Sequence, residues 1–331
     1  MYKIKRYTSD DKSRWDEFVE ASKNGTFILK RDFMEYHSDR FTDHSLLFFD
    51  DKDKLVALLP ANEVQDSQSP SLRGGIRRGQ LHSHQGLTYG GLVLSSKQGI
   101  NEVMGMFDSI IDYLKANNFT TFHYKQVPTI YHRCPSQEDE YALWRHNAVI
   151  EVCNIASTMP LHSPQTPAPK RDRMQRFKKA CTMRYRLDET YDLSVFWPIL
   201  ETSLALHHDA KPVHTLEEMA RLKALFPDNI KCYIAYNTAG EAEGGVLLFV
   251  TDQVAHSQYG HATEVGYSNH VMDYIYQTLI EKYRNDGHTL YFDLGTSNED
   301  GGHVLNASLA HQKEGFGARG IAYKQWRINI E

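Results

Sequence analysis

Asp293 and Lys313 are the residues whose types and positions carry the most chemistry. Asp293 sits in an apolar run, Tyr291-Phe292-Asp293-Leu294, followed by Gly295, Thr296, Ser297, Asn298 and the pair Gly301-Gly302. Lys313 ends a short helical pattern that Gly315-Phe316-Gly317 stops. An acidic residue at the end of a strand with a parallel neighbour stands where open sheets bind ligands. A lysine reaching back to that opening would hold a developing oxyanion or a donor phosphate. Each residue also has a purely structural explanation. Aspartate caps tight turns through backbone N–H groups, and a cation at a helix C-terminus is favoured by ~0.3–1 kcal/mol. Ser297 and Asn298 share the loop and the same two readings. Gly315 is expected to be the left-handed stop of the helix.

A second group is cationic. Lys170, Arg171, Arg173, Arg176, Lys178 and Lys179 crowd one helical stretch, with Arg173 and Arg176 near one face. Such a face is either solvated or an anchor for phosphate, as in a diphosphate-linked glycan or a tRNA backbone. His84 and Tyr89 lie in "HSHQGLTYGG", whose glycines suggest close backbone contact with a ligand or a partner domain. Tyr259 ends the strand candidate Val254–Tyr259 and joins the candidate substrate contacts. The 17 histidines include His82/His84, His207/His208/His214 and His256/His261, but none has a metal-ligand frame, so no metal site is expected. "HHDAKPVHT" reads as a polar turn into a helix, with Thr215 and Glu218 spaced as a capping box.

The elements that must position these residues come in a repeated order. In the first half, strand candidates at Tyr2–Tyr7, Ser45–Phe49, Leu55–Pro60 and "GLTYGGLVL" precede a helix at Ile100–Asn117 and a strand at Phe119–Tyr124. Val149–Ile155 is the half's last strand. "STMPLHSPQTPAPK" reads as a linker. The second half offers a hairpin at Lys231–Tyr236 and Val246–Val250, a helix at Val271–Tyr283, a strand at Thr289–Leu294, and a helix at Val304–Lys313. Both halves read β-α-α-β-β-β-α-β-α-β, which suggests a tandem duplication. The expected fold class is α/β, with two domains at residues 1–160 and 170–331, each a mixed sheet flanked by helices.

The order of each half resembles the GNAT acyltransferase fold. "KRDRMQRFKKACTMRYRLDETYDLSVFWPIL" resembles the segment that opens the second domain of the Fem-type aminoacyltransferases. Asp293-Leu294-Gly295, Gln312-Lys313 and Gly315-Phe316-Gly317 are similar to that family's "strand, D-x-G-G, short helix, F-K-x-x-F-G" ending. The resemblance implies two tandem GNAT domains, transfer of acyl or aminoacyl groups, and a functional role for Lys313 and Asp293. Coenzyme-A-using GNATs carry a Q/R-x-x-G-x-G/A loop that holds pyrophosphate on backbone N–H groups. "HATEVGYSNHVMDYIY" and "LSSKQGINEVMGMF" lack it. The acyl donor is accordingly aminoacyl-tRNA or acyl-CoA, with the former favoured. No pair of long coiled-coil helices is seen.

Composition agrees with an enzyme of this kind. At 331 residues the chain has room for about two domains of ~150. A net charge of −5 argues against general nucleic-acid affinity. Four scattered cysteines and no apolar leader point to a cytoplasmic chain, and no stretch reaches the ~20 apolar residues of a membrane helix. The expected function is N-acyl transfer to an amine of a small-molecule, cell-envelope or glycan precursor. The alternatives are an acetyl-CoA-dependent N-acetyltransferase and a non-catalytic binding or scaffold protein. Attack of an amine on an activated ester requires little of a protein beyond proximity and oxyanion donors, and no strong catalytic dyad is evident in the sequence.

Overall fold

A computed structural model describes residues 2–65 and 79–331. The Gly- and Arg-rich loop expected before Gly79 lies outside the described residues. The fold is α/β, and the chain forms two compact units. One comprises Met1–Asn154, Asp300–His303 and Ala322–Glu331. The other comprises Ile155–Glu299 and Val304–Ile321. No described helix is long and apolar enough to cross a membrane.

In the second unit, Arg186–Thr190, Ile230–Tyr236, Ala242–Val250 and Val254–Ala262 pair antiparallel in that order. Val254–Ala262 then runs parallel to Tyr291–Thr296. A parallel pair cannot be joined by a tight turn, and the helix Val271–Asn285 makes the crossover. Its buried residues Val271, Met272, Ile275, Leu279, Ile280 and Tyr283 recur at helical spacing and join a core with Leu248, Ala255 and Phe292. The outer neighbour of Tyr291–Thr296 is the end of a strand that runs from Val149 to Pro160. Ser157–Pro160 begins the stretch read as a linker, so the strand is longer than expected. Thr158 and Met159 are buried against the sheet, which outweighs the local Pro and Ser content.

In the first unit, one sheet joins Lys3–Arg6, Leu46–Phe49, Leu55–Leu59 and Val93–Leu94. A second ladder joins Thr42–Asp43, Asn62–Val64, Gly79–His82 and Phe119–Lys125, with Gln325–Asn329 of the last strand beyond. The parallel pair here is Gly79–His82 with Phe119–Lys125. The strand expected over "GLTYGGLVL" is mostly loop. Only Val93–Leu94 is strand, because Gly91 takes φ +76 and a Cβ on Gly90 would lie 2.0 Å from the Ser83 carbonyl oxygen. That close approach is to the unit's own backbone and to Tyr124.

Two further expectations change near the C-terminus. The helix expected over Val304–Lys313 is Ala307–Glu314, since Val304–Leu305 pairs with Asn298–Glu299. Gly315 is right-handed at φ −59, and the positive φ of +102 belongs to Gly317. Gly315 is needed for space, as a Cβ there would lie 2.9 Å from Cγ of Arg173.

Candidate functional site

The registered pairing between the two parallel strands of the second unit stops at His256–Asp293. These two residues are also joined through their side chains, His256 Nδ1 to Asp293 Oδ2 at 2.8 Å. Asp293 is fully buried. Its other oxygen accepts from Thr158 Oγ1 at 2.9 Å, the residue directly across the antiparallel neighbour, and from the Gly295 N–H at 3.0 Å. The aspartate therefore does cap the glycine turn, and it orients an imidazole as well. With Asp293 ionised, Nδ1 of His256 carries the proton and Nε2 is left as a base. This carboxylate–imidazole pair is not evident in the sequence. The sequence signal was faint: a histidine within the apolar opening of "VAHSQYG".

Lys313 lies near the end of its helix and reaches back to the same turn. Its Nζ donates to the carbonyl oxygens of Gly295 at 3.1 Å and Thr296 at 2.6 Å. Burial pushes its pKa down to about 8, while the Asp293 carboxylate pulls the other way. Two carbonyls use two of its three donors, which leaves one N–H without a partner among the described residues.

Contacts assign the two faces of the central strand. Ser257 bonds Tyr276 at 2.9 Å, and a Cβ on Gly260 would strike the same Tyr276 hydroxyl, so both face the helix Val271–Asn285. Tyr259 meets Trp197, and His261 bonds Ser203 at 3.0 Å, so both face the helix Phe196–His208. The register shifts between Leu247 and Leu248, which leaves Gln258 as a bulge. Phe292 packs on Tyr276, so Asp293 points to the opposite face by strand alternation, taking His256 with it. The bulge thus puts His256, Tyr259 and His261 on one face although their spacing is three and two. All six residues from His256 to His261 are only half-buried, and pairing with the parallel neighbour ends at the first of them.

The remaining candidates fall in different surroundings. Ser297 is buried, and its hydroxyl has no partner among the described residues. Asn298 accepts from the Ile155 N–H at 2.6 Å through its side chain. Arg173 is buried and paired with Asp273 at 2.7 Å, its guanidinium over the Phe316 ring. Arg176 is exposed. Tyr259 bonds Nδ1 of His214 at 2.8 Å. Asp293, Lys313, Ser297, Asn298 and Tyr259 thus all belong to the second unit, where Asp293 and Lys313 meet at Gly295. His84 and Tyr89 belong to the first unit. His84 is buried at φ +66, stacked on His37, with its pKa lowered to about 3 chiefly by burial. Tyr89 bonds Thr26 at 2.9 Å and packs on Tyr131.

No family model matches the chain, and no curated protein matches it. Solved structures do. FemX is similar with a TM-score of 0.69 at 8% identity, over 99% of this chain and 97% of that one. L-PGS from Bacillus licheniformis has a TM-score of 0.59 at 9% identity, over 96% and 92%. A tandem GNAT protein from the clavulanic acid biosynthesis pathway has 0.54 at 10% identity, over 100% and 99%. At such identities the likeness concerns the fold alone, and the fold of this chain is Fem/GNAT-like, with two GNAT-like domains.

Proposed function

We propose that the protein is an N-acyltransferase that moves an acyl or aminoacyl group onto an amine of a cell-envelope or glycan precursor. The observation that carries this reading is the His256–Asp293 pair, set where the parallel strands of a GNAT-like domain part. An acceptor amine reaches the donor carbonyl as its ammonium loses a proton, and Nε2 of His256 takes that proton. Asp293 holds the tautomer and stabilises the imidazolium that forms. The free N–H of Lys313 stabilises the tetrahedral oxyanion. The leaving alcohol or thiol then takes the proton back from His256, and the attacking nitrogen gives its second proton to solvent as the intermediate collapses to the amide.

Aminoacyl-tRNA fits better than acyl-CoA as donor. The one glycine at the junction after the central strand, Gly266, has its N–H on Thr263 Oγ1 at 3.1 Å. Glu264 and Asp273 stand in the first turns of the two helices there. Carboxylates at helix starts compete with a pyrophosphate for the same positive end. The exposed cations of the helix Arg171–Thr182, Arg176 among them, suit a nucleic-acid backbone instead.

Binding and transfer separate the readings. We expect charged aminoacyl-tRNA to bind in a salt-sensitive way, more weakly in Arg176→Ala, and its amino acid to pass to an added amine. A melting shift with acetyl-CoA and none with aminoacyl-tRNA would replace this donor by coenzyme A. Normal folding with no transfer from either donor would mark a binding or scaffold protein.

A further inference from the structure

The polar row on the central strand continues past His256. Tyr259 lies one bulge further along the same face, hydrogen-bonded to Nδ1 of His214. Trp197, in the first turn of the helix Phe196–His208, meets the Tyr259 ring edge to face at 6.0 Å. His214 meets that ring in the same manner at 6.0 Å. Trp197 is 2% exposed, and its Nε1–H has no hydrogen-bond partner among the described residues.

That missing partner sets Trp197 apart from the other buried tryptophans. Trp15 donates to the Leu29 carbonyl at 2.8 Å, and Trp326 donates to Oε1 of Gln126 at 3.3 Å. Buried tryptophans ordinarily find an acceptor. An indole N–H can only donate, so whatever satisfies it must bring an acceptor atom.

We propose that Trp197 Nε1, with Tyr259 and His214 beside it, is a binding subsite for the uncharged carbonyl oxygen of the donor's acyl group. The proposal rests on the acyl-transfer reading and deepens it. The donor atom is neutral and set among aromatic rings, which suits the flat, neutral carbonyl of an ester, thioester or amide. Trp197 lies against Tyr259, on the strand face that also carries His256. Trp197 is a binding residue here, and its N–H makes no bond or proton transfer of its own.

The test reads that N–H directly. Uniform ¹⁵N labelling gives one indole signal for each of the four tryptophans, and Trp197→Phe identifies the one from Trp197. The probes are acetamide and an amide-linked 3′-aminoacylamino-3′-deoxyadenosine, a stable mimic of the charged tRNA end. The expected result is a saturable downfield shift of the Trp197 signal with both probes and none with free ammonium ion. Trp197→Phe should bind the adenosine probe about tenfold more weakly. Its melting temperature should equal or exceed that of the wild type, because an unpaired buried donor has been removed. A Trp197 signal that neither probe moves overturns the proposal. So does equal affinity of wild type and Trp197→Phe. Should the variant fail to fold, Trp15→Phe, Trp144→Phe and Trp326→Phe assign the Trp197 signal by elimination, and its titration in the wild type decides. A moving signal without transfer from any donor would support the subsite and defeat the acyl-transfer reading. Transfer that depends on His256 with a static Trp197 signal would do the reverse.

Discussion

The parallel strand pair of the first unit and that of the second follow one plan and end differently. In the first unit the registered pairing ends at His82–His123, in the second at His256–Asp293. Past that point the first unit stays closed. Ser83 N–H donates to the His123 carbonyl at 2.8 Å, Lys125 N–H to Ser83 Oγ at 2.6 Å, and Gly90 N–H to the Lys125 carbonyl at 3.1 Å. In the second unit no pair is registered beyond Asp293. Each unit also fastens a lysine onto two loop carbonyls. Lys125 holds Gln85 and Leu87, both at 2.9 Å, as Lys313 holds Gly295 and Thr296. The frame is shared, but the carboxylate is a member of the terminal pair itself only in the second unit; in the first, His123 Nδ1 meets Oε1 of Glu151 at 2.5 Å. A carboxylate beside an imidazole orients a base. In the first unit the two imidazoles stack at 4.2 Å, with His82 lowered to about 4 by burial and by its neighbour, and the carboxylate on His123 comes from Glu151, outside the parallel pair.

The largest expected effect breaks the comparison at those terminal pairs. His256→Ala and Asp293→Asn should each lower the transfer rate by ~10²–10⁴. Asp293→Asn keeps the side-chain volume and a hydrogen bond to Thr158, so its melting temperature should move little beside its rate. His82→Gln and His123→Gln should leave the rate within about twofold. A rate that falls equally for changes in both units would mean that the two pairs are functionally alike.

Next in size come the lysines. Lys313→Met and Lys125→Met each remove two charge-assisted hydrogen bonds to carbonyls and should cost similar stability, about 1.5–3 kcal/mol in a urea titration. That exceeds what an exposed lysine at a helix end would cost, because Lys313 is half-buried and holds two carbonyls. Only Lys313→Met should also lower turnover, by about tenfold or more. If both variants lose stability and neither loses turnover, Lys313 fastens its loop as Lys125 does, and the oxyanion role falls.

The sequence carried half of this comparison. Asp293 and Lys313 were legible because a strand end, a glycine turn and a helix end are local patterns. Their meeting at Gly295 and Thr296 follows from a short helix that returns the chain to the strand. His256 was not legible, because its partner arises from a parallel register across the helix Val271–Asn285, and register is a tertiary property. Arg173 was misjudged for a similar reason. Its cationic neighbours suggested a solvated or ligand-facing position, yet Asp273, its partner, lies on another helix. Breaking that buried pair by Arg173→Ala should cost about 3–5 kcal/mol, whereas Arg176→Ala should leave stability within about 0.5 kcal/mol. "GLTYGGLVL" alternated like a strand, but its glycines serve a close backbone approach that only the folded unit reveals.

The smallest effect is a slope, and it separates what the lysines share from what they do not. Both have pKa values lowered to about 8 by burial. In the unfolded chain a lysine titrates near 10.4. Between about pH 8 and 10 the unfolded chain therefore binds more protons at these positions than the folded one, and stability rises with pH. Below about pH 8 both states are protonated and the cost of burying each ammonium is present in full. Above about pH 10 the tyrosines reverse the trend. Tyr276 and Tyr283, raised to about 12 by burial, keep protons that the unfolded chain releases. Urea midpoints taken from pH 7.5 to 9.5 should climb in the wild type, climb less in either Lys→Met variant, and stay nearly level in the double variant. The rate should behave otherwise. A charge needed at Lys313 disappears near pH 8, so turnover should fall above that value in the wild type and in Lys125→Met alike. A stability slope that both lysines share, with a falling rate limb unaffected by Lys125→Met, is the signature of one frame used twice and one site used once. A slope that survives in the double variant would show that neither ammonium is buried at a cost, and the likeness between the two lysines would end at their hydrogen bonds.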